Sequence, residues 1–181
     1  MSTLLKAFNL FAVEAFRLET LQAYRVEAEA EEFAAFLRGE PVPVSTPGNS
    51  PWLRRIAETT AQGKRWRRVH VIRLPLSDYL RYELSCQLRD NVPAGEDIRV
   101  IDAAWSVPAV LNRDFWAFDT HTAQPVVWLM NYDVDGRFLG SSPPSDPWPV
   151  DFIELQQVSW SWAMPLHRFM REHGDEVQAV S

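Results

Sequence analysis

Residues 65–74 read RWRRVHVIRL, and residues 75–91 continue as PLSDYLRYELSCQLRDN. In the first stretch every second residue, such as Trp66, Arg68 and His70, falls on the same side of the chain, which is the period of a β-strand. Apolar residues occur on both sides, which indicates a central strand that is covered on both faces. The second stretch repeats leucine every four residues from Leu76 to Leu88, which predicts a helix that ends before Pro93. A strand followed directly by an amphipathic helix indicates a fold that packs helices on a sheet.

The flanking sequence continues this alternation. Ser50 is a candidate N-cap with Pro51 at the first helical position, and the helix it begins is expected to stop at Gly63. Residues 97–101 and 114–119 are predicted to be strands. Residues 126–131 and 136–139 flank the dipeptide Asp135-Gly136 and predict a hairpin.

The two ends of the chain are expected to be helical. Residues 4–13 predict an amphipathic first helix, since charged and polar residues interrupt the apolar run that a signal peptide needs. Residues 24–26 predict a short strand and residues 27–38 a helix, whose acidic first turns are interpreted as favourable charge at a helix N-terminus. A helix is also expected from residue 151 until Pro165 ends or kinks it, followed by a short final helix.

These elements predict one domain of the α/β or α+β class over residues 1–173. Its mixed sheet is expected to have five or six strands flanked by helices. Proline-rich loops are placed at residues 41–51 and 141–149, and residues 174–181 are expected to be a frayed tail.

The composition excludes several classes of protein. An apolar fraction of 46% is enough for a well-filled core, and no apolar run is long enough for a membrane span. The formal charge of -6 makes nucleic acid an unlikely partner. A single cysteine, Cys86, rules out an internal disulfide and a multi-cysteine zinc site, so a cytoplasmic location and no cofactor are expected.

Six short motifs resemble an uncharacterised family of small actinobacterial proteins over roughly residues 16–173. They are 52–57 (WLRRIA), 63–71 (GKRWRRVHV), 75–84 (PLSDYLRYEL), 94–100 (AGEDIRV), 114–119 (DFWAFD) and 132–138 (YDVDGRF). The resemblance implies no established activity. It implies a setting beside helix-turn-helix regulators or in specialised-metabolite gene neighbourhoods, and thus regulation or accessory biosynthesis.

A looser resemblance is to one half of a phospholipase-D-like α/β unit. It is carried by a helix ending in glycine, the basic strand that follows, the 114–119 strand and the hairpin. Catalytic members of that superfamily have a His-x-Lys pair, in which histidine attacks phosphorus. The sequence contains no such pair, so the resemblance implies a degenerate unit without phosphodiesterase activity.

The helix face with Asp78, Tyr79, Arg81, Tyr82 and Glu83 is denser in functional groups than packing requires. Spacings of three and four residues allow neighbouring side chains to hydrogen-bond. One interpretation is a solvated flank beside the leucine stripe, which is favoured, and the other is the wall of a polar cleft.

Cys86 also has two interpretations. Together with His70 on the preceding strand it would make a nucleophile and its base, or it is a small buried apolar residue. If the protein is an enzyme, the candidate catalytic residues are Asp78, Arg81, Glu83 and Cys86. No metal site is expected, because the strand-end carboxylates are dispersed and four histidines form no His-x-x-x-His pair.

Tryptophans are concentrated in the second half of the chain, at positions 105, 116, 128, 148, 160 and 162. Not all of them can face the core, and exposed tryptophan is typical of a partner surface or a ligand cleft. The candidate residues for binding a ligand or partner are Tyr79, Tyr82, Arg68, Trp116, Trp148 and Trp160.

Two functions lead as hypotheses, and a nucleic-acid binder, supported only by the basic residues 64–68, is third. The first is a non-catalytic, cytoplasmic binding or regulatory module that recognises a small molecule or a protein partner, such as a helix-turn-helix regulator, and that can form a homodimer through its aromatic surface. The second is a small transferase or hydrolase of specialised metabolism, with a polar cleft around the 78–83 helix face.

Overall fold

A computed structural model describes residues 3–103, 113–145 and 151–174, and the account below concerns these residues. The helices are α1 (Thr3–Leu10), α2 (Ala30–Leu37), α3 (Pro51–Ala61), α4 (Asp78–Cys86), α5 (Val92–Ala94), α6 (Phe152–Trp162) and α7 (Leu166–Glu172). The strands are β1 (Glu14–Glu19), β2 (Arg65–Ile72), β3 (Glu96–Asp102), β4 (Phe115–Phe118), β5 (Val126–Tyr132), β6 (Phe138–Ser142) and β7 (Met164–Pro165).

The strands form one mixed sheet in the order β6-β5-β4-β1-β2-β3-β7. The strands β1, β2 and β3 pair in parallel. The β1–β4, β4–β5, β5–β6 and β3–β7 pairs are antiparallel. Helices lie in both connections between the parallel strands, as parallel pairing requires. The predicted mixed sheet flanked by helices is therefore confirmed, as an α+β fold with seven strands. The additional strands are β1 and the two-residue β7, which the sequence patterns did not indicate.

Capping residues define where the central helices begin. The side chain of Ser50 accepts a hydrogen bond from the Leu53 amide, as predicted, and Ser77 accepts one from the Leu80 amide. The helix predicted over 75–91 is shorter than expected at its start, because Ser77 is its N-cap. At its other end α4 continues into a π-helical turn, Gln87–Asn91, and such turns often occur at functional sites.

The two faces of the sheet have different covers. Phe16, Val69 and Phe115 pack beneath α6, which contributes Phe152 and Leu155. The opposite face lies under the remaining helices: α1 and α3 pack on an aromatic cluster, while α4 and α7 pack on the ends of β2 and β3. Arg17 and Glu19 of β1 and Arg68 and His70 of β2 lie on this second face.

Three tryptophans of the second half of the chain differ in their surroundings. Trp116 is buried in the core beside Trp52 and Trp66, so it cannot be part of an exposed aromatic binding surface. Trp160 is half-buried, with the guanidinium carbons of Arg67 and Arg99 at 4.5 and 3.8 Å from its ring centre. Trp162 is 56% exposed. Trp105 and Trp148 lie outside the described residues.

Two local predictions need correction. The strand expected over 24–26 is reduced to a single bridge between Arg25 and Arg137, and Tyr24 instead turns its ring into the core. The helix expected over 27–38 begins with a tighter turn, Glu27–Glu29. None of the helices in the described ranges combines the length and the apolarity needed to cross a bilayer. The predicted tail falls almost entirely outside those ranges.

Candidate functional site

The site is built on the pairing of β1 with β2. Parallel register places Arg17 opposite Arg68 and Glu19 opposite His70, so the four side chains project from the same face. The start of β1 is held by Asp119, whose carboxylate accepts the amides of Ala12, Val13 and Glu14 at 2.7 to 2.9 Å. The register buries charged side chains of two adjacent central strands together. Such burial costs free energy unless the side chains form ion pairs and hydrogen bonds with one another.

Glu19 joins the two arginines. Its Oε1 accepts from Arg17 Nε at 3.1 Å, and its Oε2 accepts from Arg68 Nη1 at 2.9 Å. Arg68 also donates from Nε to Glu96 at 2.9 Å. Burial alone would raise the pKa of Glu19, but the adjacent charges of Arg68 and Arg17 hold that pKa far below its usual range. Glu19 is therefore an ionised carboxylate with both oxygens bound to guanidinium groups.

Arg17 is anchored at its other end by Asp114. Arg17 Nη2 donates to Asp114 Oδ2 at 3.0 Å, and the hydroxyl of Tyr24 donates to the same oxygen at 2.6 Å. The other carboxylate oxygen accepts from both the amide and the hydroxyl of Thr20. Because each charged group has several partners, the cluster holds Arg17 and Glu19 in a single arrangement.

A second chain of hydrogen bonds leads from β2 to α4. The ring nitrogen Nε2 of His70 lies 2.8 Å from Gln87 Oε1, and Gln87 Nε2 donates to Glu83 Oε1 at 3.2 Å. A carboxamide oxygen can only accept, so His70 donates to it in the tautomer that carries the proton on Nε2. Gln87 is the first residue of the π-helical turn. The turn thus connects the histidine on the sheet to the acid on the helix.

The pKa values of these two groups are displaced in opposite directions. Burial lowers the pKa of His70, only partly opposed by Glu19, so the ring is neutral. Burial raises the pKa of Glu83 well above its usual value, and the nearby charge of Glu19 adds to this effect against the attraction of Arg68. The buried Oε2 of Glu83 has no hydrogen-bond partner in the described part of the chain.

A polar pocket of about 280 Å³ opens above this arrangement. It lies between the start of α2, the helix α4 with its π-helical turn, and part of the 45–53 segment. Its polar lining includes Glu29, Glu32, Arg68, Tyr82, Glu83 and Gln87. Arg68 and Glu83 therefore belong both to the buried charge network and to the wall of the pocket.

The acidic residues before and within α2 do more than favour a helix N-terminus. Tyr79 donates its hydroxyl proton to Glu29 at 2.9 Å, and Tyr82 donates to Glu32 at 3.2 Å. Both tyrosines are buried. The favoured interpretation of the 78–83 face as a solvated flank was therefore wrong for these two residues, because α2 packs over them and encloses the pocket.

The structure brings together some of the predicted site residues and separates others. Tyr82, Glu83, Cys86 and Arg68 all line the pocket. Asp78 is exposed and forms an ion pair with Arg81, outside the pocket lining. The candidates Trp116 and Trp160 are in the core and on the opposite face of the sheet, respectively.

Cys86 and His70 do not form the pair considered from the sequence. His70 bonds Gln87, the neighbour of Cys86, as described above. The thiol is half-buried, and burial raises its pKa to about 11, so at neutral pH it is protonated and a poor nucleophile.

Glu19, His70 and Glu83 place one ligand atom each within 4.8 Å of one another, a spacing that a metal ion requires. The surroundings do not fit a metal. Both oxygens of Glu19 are taken by guanidinium groups, and the Nε2 proton of His70 points to Gln87. A dication would also lie next to two fixed positive charges, which would repel it.

Sequence reasoning missed Arg17, Glu19, Gln87 and Glu96. Arg17 and Glu19 alternate with the buried Phe16 and Leu18, so a strand pattern was present in residues 14–19. A buried strand was not predicted there, because charged residues at alternate positions normally indicate a strand face that is exposed to solvent. Their partners lie at distant positions in the chain and were not identifiable from local spacing.

Fold and site define a class: an α+β domain in which charged residues of adjacent parallel strands are buried beneath a polar pocket. The chain belongs to the family described as Domain of unknown function (DUF6879), whose model matches residues 2–171. This confirms an uncharacterised domain family. Neither the search of curated proteins nor the search of solved structures found a match.

Proposed function

We propose that this protein is a binding module that takes up a small polar ligand in the pocket between α2 and α4. The observation that carries the proposal is Glu83, which lines the pocket while its buried Oε2 has no hydrogen-bond partner among the described residues. Buried polar atoms are nearly always hydrogen-bonded, so a carboxyl oxygen without a protein partner at the wall of a cavity is a position where a ligand group can bond.

The charge network supports the same proposal through rigidity. Arg68 is held by Glu19 and Glu96, and Gln87 is held between His70 and Glu83. Groups fixed in advance lose little conformational entropy when a ligand binds, which strengthens binding.

Cys86 provides a natural reporter for a test, because it lines the pocket and is the single cysteine of the chain. A panel of small polar compounds is screened for slower labelling of Cys86 by a thiol reagent and for a higher melting temperature. A true ligand is expected to produce both effects. If no compound in a chemically broad panel protects Cys86, the proposed function is wrong.

A matched control separates occupancy of the pocket from general stabilisation. In the double variant Cys86→Ser/Ser161→Cys the thiol moves to an exposed position on α6. The ligand is expected to leave the labelling rate of this variant unchanged. Protection at both positions would show that the compound acts on the reagent or on the whole protein.

A second candidate function is proton-transfer catalysis in the same pocket, the enzyme alternative. It is favoured by the linkage of a neutral His70 to Glu83 through Gln87, with pKa values displaced in opposite directions. Environments that separate two pKa values in this way occur in acid–base sites. His70→Gln is expected to retain ligand binding and to abolish turnover; a compound bound by the parent protein and never converted would favour the binding module.

The regulatory form of the hypothesis extends this proposal to a protein partner, such as a helix-turn-helix regulator in a cytoplasmic, actinobacterial setting. Ligand uptake would then change the affinity for that partner. Trp162, more than half exposed, is the described tryptophan best placed to contribute to such a surface. Weaker association of Trp162→Ala with the regulator would support this extension.

A further inference from the structure

We infer that the ligand is a small organic cation, an amine or a guanidinium compound, whose charged group pairs with Glu83. The inference rests on the proposed function, since it names the chemical class that the pocket selects. It is drawn from the balance of charge around the cavity, from the orphan oxygen of Glu83 and from the partners of Arg68.

Carboxylates outnumber free positive charge at the pocket wall. Glu29 and Glu32 line it, whereas Arg68 shares its charge with Glu19 and Glu96. A further lining acid, Asp90, is bonded by the adjacent Arg89. The unneutralised charge facing the cavity is therefore negative, which attracts cations and disfavours anions.

Glu83 has a single hydrogen bond from the described part of the protein. Its Oε1 accepts one long hydrogen bond, from Gln87, and its Oε2 accepts none from the described residues. The groups around it are Glu19 and Arg17 from β1, Arg68 and His70 from β2, Glu29 from the turn before α2, and Gln87 from the π-helical turn. An ammonium or guanidinium group carries donors that would bond Oε2 and a charge that would offset the neighbouring acids.

Burial raises the pKa of Glu83, with the charge of Glu19 adding to the effect, so ionisation of Glu83 is disfavoured in the free pocket. A bound cation favours the ionised form. The proton of Glu83 then passes to solvent, and a carboxylate and a cation remain in the pocket. Binding of a cation is therefore expected to release a proton, and this release should be absent for a neutral ligand.

The shape and the aromatic lining also fit an organic cation. A cavity of about 280 Å³ is near the lower end of ordinary ligand pockets, which suits a compact molecule. Trp52 and Tyr82 contribute aromatic rings to the lining, and such rings stabilise alkylammonium and guanidinium groups. A bare metal ion would gain nothing from them and would meet the guanidinium groups bound to Glu19.

The test compares four probes of similar size: n-butylammonium, n-butylguanidinium, n-butanol and n-butyrate. Binding at neutral pH is followed by protection of Cys86 and by calorimetry in two buffers that differ in ionisation enthalpy, which counts released protons. The cations are expected to bind at least about tenfold more tightly than butanol or butyrate and to release protons. In Glu83→Gln the cation affinity should fall about ten- to hundredfold, with no change for butanol.

Glu58→Gln is the matched control, since Glu58 is an exposed acid on α3 outside the pocket lining; its affinities should equal those of the parent protein. Equal or tighter binding of butanol or butyrate, or unchanged cation binding in Glu83→Gln, would overturn the inference. Binding of MnCl2 alone that is lost in His70→Gln would replace it with a metal site. If the cations fail but another compound of the broad panel protects Cys86, the cation inference fails and the proposed function stands; if no compound protects, both fail.

Discussion

Glu83→Gln is expected to make the free protein more stable at neutral pH. Glu83 has a pKa well above the ordinary value of 4.5, because burial and the charge of Glu19 oppose its ionisation. A carboxyl group that stays protonated in the folded state while the unfolded chain ionises contributes full stability below the unfolded pKa. That contribution is lost as pH rises toward the folded pKa.

The size of the effect follows from the pH interval. While the folded carboxyl keeps its proton and the unfolded chain is ionised, each pH unit above 4.5 costs about 1.4 kcal/mol of stability. The glutamine amide resembles the protonated acid and bears no such cost. Because its NH2 group needs an acceptor in place of Oε2, we expect a net gain of about 1 to 3 kcal/mol.

The assay is urea denaturation of the parent protein and the variant between pH 4 and 8. The variant should be no more stable than the parent protein at pH 4, and the free-energy difference should move in its favour as pH rises, by no more than about 1.4 kcal/mol per unit. Glu58→Gln, the same substitution at an exposed helical position, should show no such trend. A variant less stable than the parent at pH 7, by an amount that does not shrink toward pH 4, would refute the reasoning and show Glu83 to be an ionised, stabilising partner.

Three further predictions concern the core, the aromatic residues and the thiol. Leu84 of α4 is fully buried against β3 and α7, so Leu84→Ala should lower the free energy of unfolding by about 2 to 5 kcal/mol in urea denaturation. The control is Leu139→Ala at an exposed position, and an unchanged midpoint for Leu84→Ala would show that the leucines of α4 are not part of the core. Trp116→Ala should cost about 3 to 5 kcal/mol and Trp162→Ala no more than about 0.5 kcal/mol by thermal melting, and similar losses for both would contradict their burial. With its pKa near 11, Cys86 should react slowly with a thiol reagent at pH 7 and faster as pH rises or the protein unfolds; labelling of native protein at pH 7 as fast as that of unfolded protein would contradict this.

Part of the fold was predictable because its signals are local. The alternation in β2, the leucine spacing in α4, the Ser50 cap and the Asp135-Gly136 turn each lie within one element and its ends. The structure has these elements at nearly the predicted positions. The strand β1 escaped because Arg17 and Glu19 give it the composition of a solvated segment, although it is central in the sheet.

The candidate site was predictable only in part. Tyr82, Glu83 and Cys86 were found because they lie on one helix, and Arg68 was included without its partners. Gln87 was not found, since nothing in its spacing shows that it would meet His70 across the sheet.

The sequence by itself determined the helices, most of the strands and the amphipathic face of α4, because hydrophobic period and capping act between residues a few positions apart. Only the tertiary structure decided that Glu19 would pair with Arg68 and that Glu29 would meet Tyr79 to enclose a pocket. These two contacts join residues about 50 positions apart, and the buried charge of Glu19 is stabilised by its guanidinium partners. A side chain that the sequence marks as solvated becomes part of a site when the packing of other elements removes its water and supplies an opposite charge.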